Sequence, residues 1–177
     1  MKKIKINKKK GILFWITGLS GSGKTTFGKA IHKDIQKLYG PTLMISGDNI
    51  RKIFYLKGHT KEDRLKILKS YCRFAKFITN QNINLIFAVV GMFNEPRKWN
   101  RKNISNYIEI YIKSNLKKII KLKKKRIYHK KNIQNIVGVN IKPEFPKKPN
   151  ITIVNSFDKP KTKITFQIIK KIKDNIV

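Results

Sequence analysis

Apolar residues recur along the chain with two distinct spacings. Ile12 to Ile16 is an unbroken apolar run, the pattern of a strand buried on both faces of a parallel sheet. Gly18 to Gly23 is rich in glycine and serine and predicts a loop. From Thr25 to Tyr39 the spacing changes. Phe27, Ile31, Ile35 and Leu38 fall three or four apart, which predicts an amphipathic helix stopped by Gly40-Pro41. Thr42 to Ile45 reads as a short second strand. Lys61 to Asn80 predicts a long helix, with Thr60 as N-cap and Asp63 completing a capping box. Ile83 to Val90 is a third buried strand, and Ile104 to Asn106 leads into a fourth over Tyr107 to Ile112. Ser114 is placed to cap a basic helix from about Asn115 to Lys125. Pro143, Pro146 and Pro149 mark an extended loop before a last strand, Ile151 to Val154, and a closing helix, Lys161 to Ile176. Strands alternating with helices predict the α/β class with a parallel sheet.

This pattern fills one domain, residues 1–177, whose first ten residues form a basic arm. A hydrophobic share of 40% suffices for a core and excludes a disordered chain. The single cysteine, Cys72, excludes an internal disulfide framework and points to a reducing, cytoplasmic setting. No apolar stretch approaches the ~20 residues of a spanning helix, so no membrane span is expected. Met1 to Lys10 is basic, but the apolar run after it is too short for a secretory leader.

Charge admits two readings. Lys and Arg number 42 against 9 Asp and Glu, a net charge of +33. Such a chain attracts polyanions at low salt. Yet only six of those cations are arginine, the residue favoured for reading phosphates and bases. Abundant lysine, isoleucine and asparagine is also what an A/T-rich genome encodes, and on that reading no specific nucleic acid is a partner.

Gly18-Leu19-Ser20-Gly21-Ser22-Gly23-Lys24-Thr25 fits G-x-x-x-x-G-K-[ST], between a buried strand and an amphipathic helix. Glycines let the backbone wrap an anion with its amides pointing inward, and the helix N-terminus adds positive potential. Lys24 is expected to reach the β- and γ-phosphates of ATP and the Thr25 hydroxyl to ligate Mg²⁺. Gly18, Ser20, Gly21, Ser22, Gly23, Lys24, Thr25 and Thr26 are thus the expected ATP contacts. The chain is short for a motor, which leaves a small nucleotide-dependent kinase as the best class. After the second strand comes Ser46-Gly47-Asp48-Asn49-Ile50-Arg51. Strand C-termini surround the ligand crevice of an open α/β sheet. Asp48 there can assist Mg²⁺ or accept a hydroxyl proton, and Arg51 can clamp an anionic acceptor. Equally, Asp48 can simply cap the next helix.

These segments resemble the adenylylsulfate (APS) kinase family. Gly18 to Thr26 is similar to its phosphate loop and Gly47 to Arg51 to its GDN[VI]R signature. Lys61 to Arg64, Ala75-Lys76-Phe77, Gly138-Val139-Asn140, Glu144, Pro146 and Pro149 follow in the family's order. The resemblance spans roughly Ile12 to Val154. It implies a P-loop NTPase-type three-layer sandwich with a basic lid, the lid and acceptor-side loop falling at about 115–145. It also implies transfer of the ATP γ-phosphate to a ribose 3′-hydroxyl, for adenylyl sulfate itself giving 3′-phosphoadenylyl sulfate in sulfate assimilation. Asp48 would be the base or a Mg²⁺ helper. Arg51, Arg64, Phe93, Asn94, Gly138 and Val139 would contact the acceptor, with Phe93 equally able to sit in the core. Lys125, Tyr128 and Lys130 match the family's lid, and Lys125 would face ATP. Homodimers are common in the family.

The departures fall on one side. Ser46 replaces the first acid of D-G-D, Gly91 a serine, and Asn94 an arginine that helps hold the sulfate nucleotide. Gly58-His59-Thr60-Lys61-Glu62-Asp63-Arg64 and Trp99-Asn100-Arg101-Lys102-Asn103 are similar to a branch that phosphorylates other activated nucleotides, such as cytidine diphosphoramidate, in surface-polysaccharide modification. His59 also reads as an ordinary loop histidine and Trp99 as a packing residue. An intact donor half with an altered acceptor half fits a changed substrate. It also fits a noncatalytic nucleotide- or polyanion-binding protein.

Overall fold

The computed structural model describes residues 3–122, 128 and 134–177. Five strands form one parallel sheet: β1 (Leu13–Thr17), β2 (Thr42–Ser46), β3 (Asn84–Val89), β4 (Tyr107–Lys113) and β5 (Ile151–Val154). Their spatial order is β2-β3-β1-β4-β5. Among the described residues six helices accompany them: α1 (Lys24–Tyr39), α2 (Gly47–Ile53), α3 (Lys61–Asn80), α4 (Asn94–Asn103), α5 (Leu116–Lys121) and, after the last strand, α6 (Lys161–Asn175).

Alternation along each strand divides the core into two layers. Phe14 and Ile16 of β1, Ile86 of β3 and Ile108, Ile110 and Ile112 of β4 face α1 and α6, which supply Phe27, Ile31, Ile35, Ile164, Ile168 and Ile172. Leu13 and Trp15, Leu85 and Phe87, and Tyr107 and Tyr111 face the other way, toward Leu68, Tyr71, Cys72 and Ala75 of α3. Burial on both faces is why these strands read as continuous apolar runs. Asparagines close the edge where the strands begin. Asn84 Oδ1 accepts from the Ile12 amide at 2.8 Å and its Nδ2 donates to the Tyr39 carbonyl at 2.9 Å. Asn106 bonds both the amide and the carbonyl of Asn7. The basic arm is fastened further by Ile4, whose amide donates to the Asn175 carbonyl at 2.7 Å.

Several expectations shift by a turn or a residue. Leu38 is exposed, and Tyr39 packs on the core in its place. Asn115, not Ser114, caps α5, its side chain accepting from the Lys118 amide at 3.2 Å. The described part of that helix ends at Lys121; Lys125 and Lys130 lie outside the described residues. The Thr60–Asp63 capping box at α3 is present in both directions. The Asp63 carboxyl is held below its usual range by hydrogen bonds from Thr60. α4 was not expected, and α2 only as the helix that Asp48 could cap. Among the described residues no helix is long and apolar enough to cross a membrane.

Gly11 enters β1 pressed against β3. A Cβ built there would fall directly on the Ile83 carbonyl. Gly11→Ala must displace one backbone against another, and overpacking of this kind costs about 3 kcal/mol. Urea unfolding should show that loss as a lower midpoint with an unchanged slope.

Candidate active site

The order β2-β3-β1-β4-β5 reverses direction at the centre: the chain leaves β1 toward β2 and leaves β3 toward β4. Such a switch opens a crevice at the strand C-termini. The loop from Gly18 to Gly23 leaves β1 at that point. A Cβ on Gly18 would stand 2.6 Å from the Ile112 carbonyl oxygen, so the loop can start this close to β4 only as glycine. Gly23 caps α1 with φ 98°, a left-handed conformation favouring glycine, and a Cβ there would meet the Phe27 ring at 2.7 Å. Between them, the Ser22 amide donates to the Leu19 carbonyl at 3.1 Å. Lys24 Nζ donates to the same carbonyl at 2.7 Å, and Lys24 is only 7% exposed. Loop amides, a buried ammonium and the start of a sixteen-residue helix therefore share one place.

A cleft of about 550 Å³ opens above this loop. Ser20, Gly21, Gly23, Lys24, Thr25 and Thr26 line one side. Ser46 to Asn49 line another, with Ala88 and Val90 from the end of β3 at its floor. Asp48 lies in the first turn of α2, where negative charge is favourable. The cap itself is Ser46, whose hydroxyl accepts from the Asn49 amide at 3.2 Å. This serine, standing where the resembling family has an acid, thus keeps a role in the backbone. Tyr71 steadies the turn by donating its hydroxyl to the Gly47 carbonyl at 3.2 Å, and burial pushes that phenol up to about 12. Gly18 and the buried Ser22 support the loop from behind and do not line the cleft.

The expected acceptor residues are dispersed around this cleft. Arg51 Nη1 donates to the carbonyls of Leu56 and Gly58, at 3.1 and 3.0 Å. Arg64 donates from Nε to the His59 carbonyl and from Nη2 to that of Asn135, each at 2.9 Å. The two guanidiniums converge near His59, whose imidazole is lowered by partial burial and then by both arginine charges. Gly138, with φ 97°, packs against Leu19 of the phosphate loop, while Val139 is exposed. Phe93 takes the second of its two expected places. It is 1% exposed and packed in the core, outside the cleft. Asn94 opens α4, with its amide donating to Glu144 Oε2 at 2.7 Å and its Oδ1 accepting from Arg97 at 2.6 Å. Tyr128 reaches the phosphate loop by donating to the Ser20 carbonyl at 3.0 Å. Trp99 packs against the core beneath Lys76. Lys125 lies outside the described residues.

The segment after β5 completes the cleft and was missed in the sequence. Asn155, Phe157, Lys159, Lys161 and Ile164 all line it. Asn155 Nδ2 donates to the buried Ser22 carbonyl at 2.9 Å, and its Oδ1 accepts from the Phe157 amide at 3.2 Å. The signal was topological: the C-terminal end of every parallel strand faces the same crevice. A divalent cation fits the donors present. The Thr25 hydroxyl and Asp48 carboxylate are hard oxygen donors on one cleft, and Mg²⁺ typically takes one or two protein ligands beside substrate phosphates.

A model of the adenylylsulphate kinase family matches residues 10–154. The cytidine diphosphoramidate kinase of Campylobacter jejuni is 34% identical over 116 residues, covering 66% of this chain and 68% of that protein. The adenylyl-sulfate kinase of Clostridium acetobutylicum is 32% identical over 176 residues, covering 97% and 88%. The Mycobacterium tuberculosis APS kinase, solved with AMPPNP and APS, superimposes with a TM-score of 0.82 at 21% identity, over 93% of this chain and 98% of that one.

Removing the Asn155 side chain strands the buried Ser22 carbonyl, a penalty of about 1–3 kcal/mol. Asn155→Ala should weaken ATP binding about tenfold. Calorimetry in magnesium buffer measures this, and an unchanged affinity would show that the loop holds its shape without Asn155.

Proposed function

The chain belongs to the adenylylsulfate kinase family of ATP-dependent kinases that phosphorylate a hydroxyl, and we propose that its acceptor is a phosphoramidate-terminated nucleotide such as cytidine diphosphoramidate. The carrying observation is Asn94. Where the resembling family holds an arginine toward the sulfate nucleotide, this chain has an asparagine whose carboxamide oxygen accepts from Arg97 and whose backbone amide donates to Glu144. A guanidinium offers donors only, which suits the acceptor oxygens of a sulfate. A phosphoramidate also carries an amino group, which needs an acceptor, so losing that arginine costs it less. The 34% identical Campylobacter relative supports this choice. Phosphorylation of adenylyl sulfate, with a role in sulfate assimilation, is the second reading, favoured by the match to the Clostridium enzyme along 97% of the chain.

In this proposal the loop amides and Lys24 bind the ATP phosphates and hold the transferring group in line with the acceptor. Thr25 and Asp48 would hold Mg²⁺, which neutralises phosphate charge. Asp48 orients the ribose hydroxyl and takes its proton. Arg51 and Arg64, converging beside His59, offset the acceptor's negative charge. Lys159 and Lys161 add positive potential at the far end of the cleft. A cytoplasmic location and a homodimer complete the proposal.

A coupled ADP-release assay tests it. Cytidine diphosphoramidate should be used with at least about tenfold higher kcat/KM than adenylyl sulfate, a difference of ~1.4 kcal/mol at the transition state. The opposite ranking assigns the chain to adenylyl sulfate. Lys24→Ala should abolish turnover with either acceptor. Asp48→Asn should lower kcat by about 10²-fold, a general-base effect; unchanged turnover would remove Asp48 from the mechanism.

A further inference from the structure

Beneath the segment that follows β3 lies a concentration of buried charge. Glu109 projects from β4 on the α3 side of the sheet and is 2% exposed. Its Oε1 lies 3.2 Å from Arg97 Nε, and its Oε2 accepts from Arg101 Nη2 at 2.6 Å. Arg97, 4% exposed, spends the rest of its fork on three further groups. Nη1 donates to the Gly91 carbonyl at 2.7 Å, while Nη2 donates to Asn94 Oδ1 at 2.6 Å and to the Glu144 carbonyl at 2.7 Å. Glu144 closes the ring. Its amide donates to the Met92 carbonyl at 2.7 Å and its carboxylate accepts from the Asn94 amide.

Stability alone does not explain this arrangement. A buried ion pair roughly breaks even against apolar residues of the same volume, because both charges must leave water. Burial raises the Glu109 carboxyl against the pull of both arginines. What the pair does supply is direction. A guanidinium is a planar fork, so a carboxylate anchored on a central strand fixes the angle at which the other donors point. Those donors hold Gly91, the residue directly after Val90 at the floor of the cleft. From below, the Trp15 indole limits the same residue: a Cβ on Gly91 would stand 3.0 Å from Trp15 Nε1.

We propose that Glu109 is a positioning residue for the phosphoryl acceptor: through Arg97 it sets the backbone of Gly91 to Asn94, and of Glu144 beside it, as the support behind Val90 and the acceptor side of the cleft. This rests on the reading that the acceptor binds beyond Asp48, at the ends of β2 and β3. ATP, held by the loop after β1, is outside its reach.

Glu109→Gln keeps the shape and removes the charge. Arg97→Lys keeps a charge for Glu109 but cannot bridge Gly91, Asn94 and Glu144 together. Each should raise KM for the better acceptor, cytidine diphosphoramidate or adenylyl sulfate, at least about tenfold, with KM for ATP within about twofold. Amide exchange without nucleotide should quicken at Asn94 and Glu144 and stay unchanged at Ser22 and Phe27. Equal losses for ATP and acceptor, unchanged acceptor KM in folded variants, or failure of both variants to fold would each overturn the proposal. If the wild type phosphorylates neither acceptor, the functional reading fails, and the exchange pattern decides this inference alone: quickening confined to Asn94 and Glu144 upholds it, and a uniform or absent change overturns it.

Discussion

The turn between β1 and α1 meets two opposed demands. Its amides must stay turned toward an anion, yet a loop of glycine and serine has little side-chain packing to hold it. The fold solves this from the back. Gly18 presses on the Ile112 carbonyl of β4, and Asn155 beyond β5 bonds the Ser22 carbonyl. Lys24 bonds Leu19 within the loop itself. A loop fixed by its neighbours loses little entropy when a phosphate arrives, which is what preorganisation means physically. Placing β1 between β3 and β4 is therefore a functional requirement as much as a topological one.

Charge is used in two ways in this chain. Lysines are spread over the whole length, as expected where composition sets them. Four of the six arginines are not so spread in role. Arg51 and Arg64 tie loop carbonyls around His59, while Arg97 and Arg101 surround Glu109. Each of these sites needs several donors at fixed angles, which an ammonium on a flexible stem does not provide. Arginine persists where geometry demands a fork. That favours the compositional reading of the net charge of +33 over a surface shaped for polyanions.

Sequence reasoning found the strands, the long helices and the phosphate loop because each carries a signal in hydrophobic spacing or glycine placement. The capping box of α3 was visible for the same reason: Thr60 and Asp63 act locally. α4 was invisible because its buried face consists of Pro96, Arg97 and Asn100, and its mostly polar sequence has no apolar period. α2, with seven residues, is too short to show one. Asn155 escaped because its partner Ser22 is 133 residues away. Phe93 was ambiguous from residue type, since an aromatic suits a pocket wall and a core alike; only its burial decides. The acceptor side was less legible than the donor side for a single reason. Its residues act through bonds between distant loops, whereas the phosphate loop acts through its own backbone.

That difference bears on whether the altered acceptor half reflects decay or a new substrate. Decay leaves losses uncompensated. Here both altered positions bond the same side chain, Arg97. At position 91, where the family has serine, a side chain would have to start 3.0 Å from Trp15 Nε1 and 3.2 Å from Val89 Cγ2, so the indole fills the space that a serine needs. At position 94, where it has arginine, the asparagine bonds Arg97 through its side chain and Glu144 through its amide. Restoring serine alone would strain the floor of the cleft, and restoring arginine alone would set a second cation against Arg97. The two positions are fixed through Arg97 to the same buried carboxylate, Glu109, so a substitution at one is felt at the other.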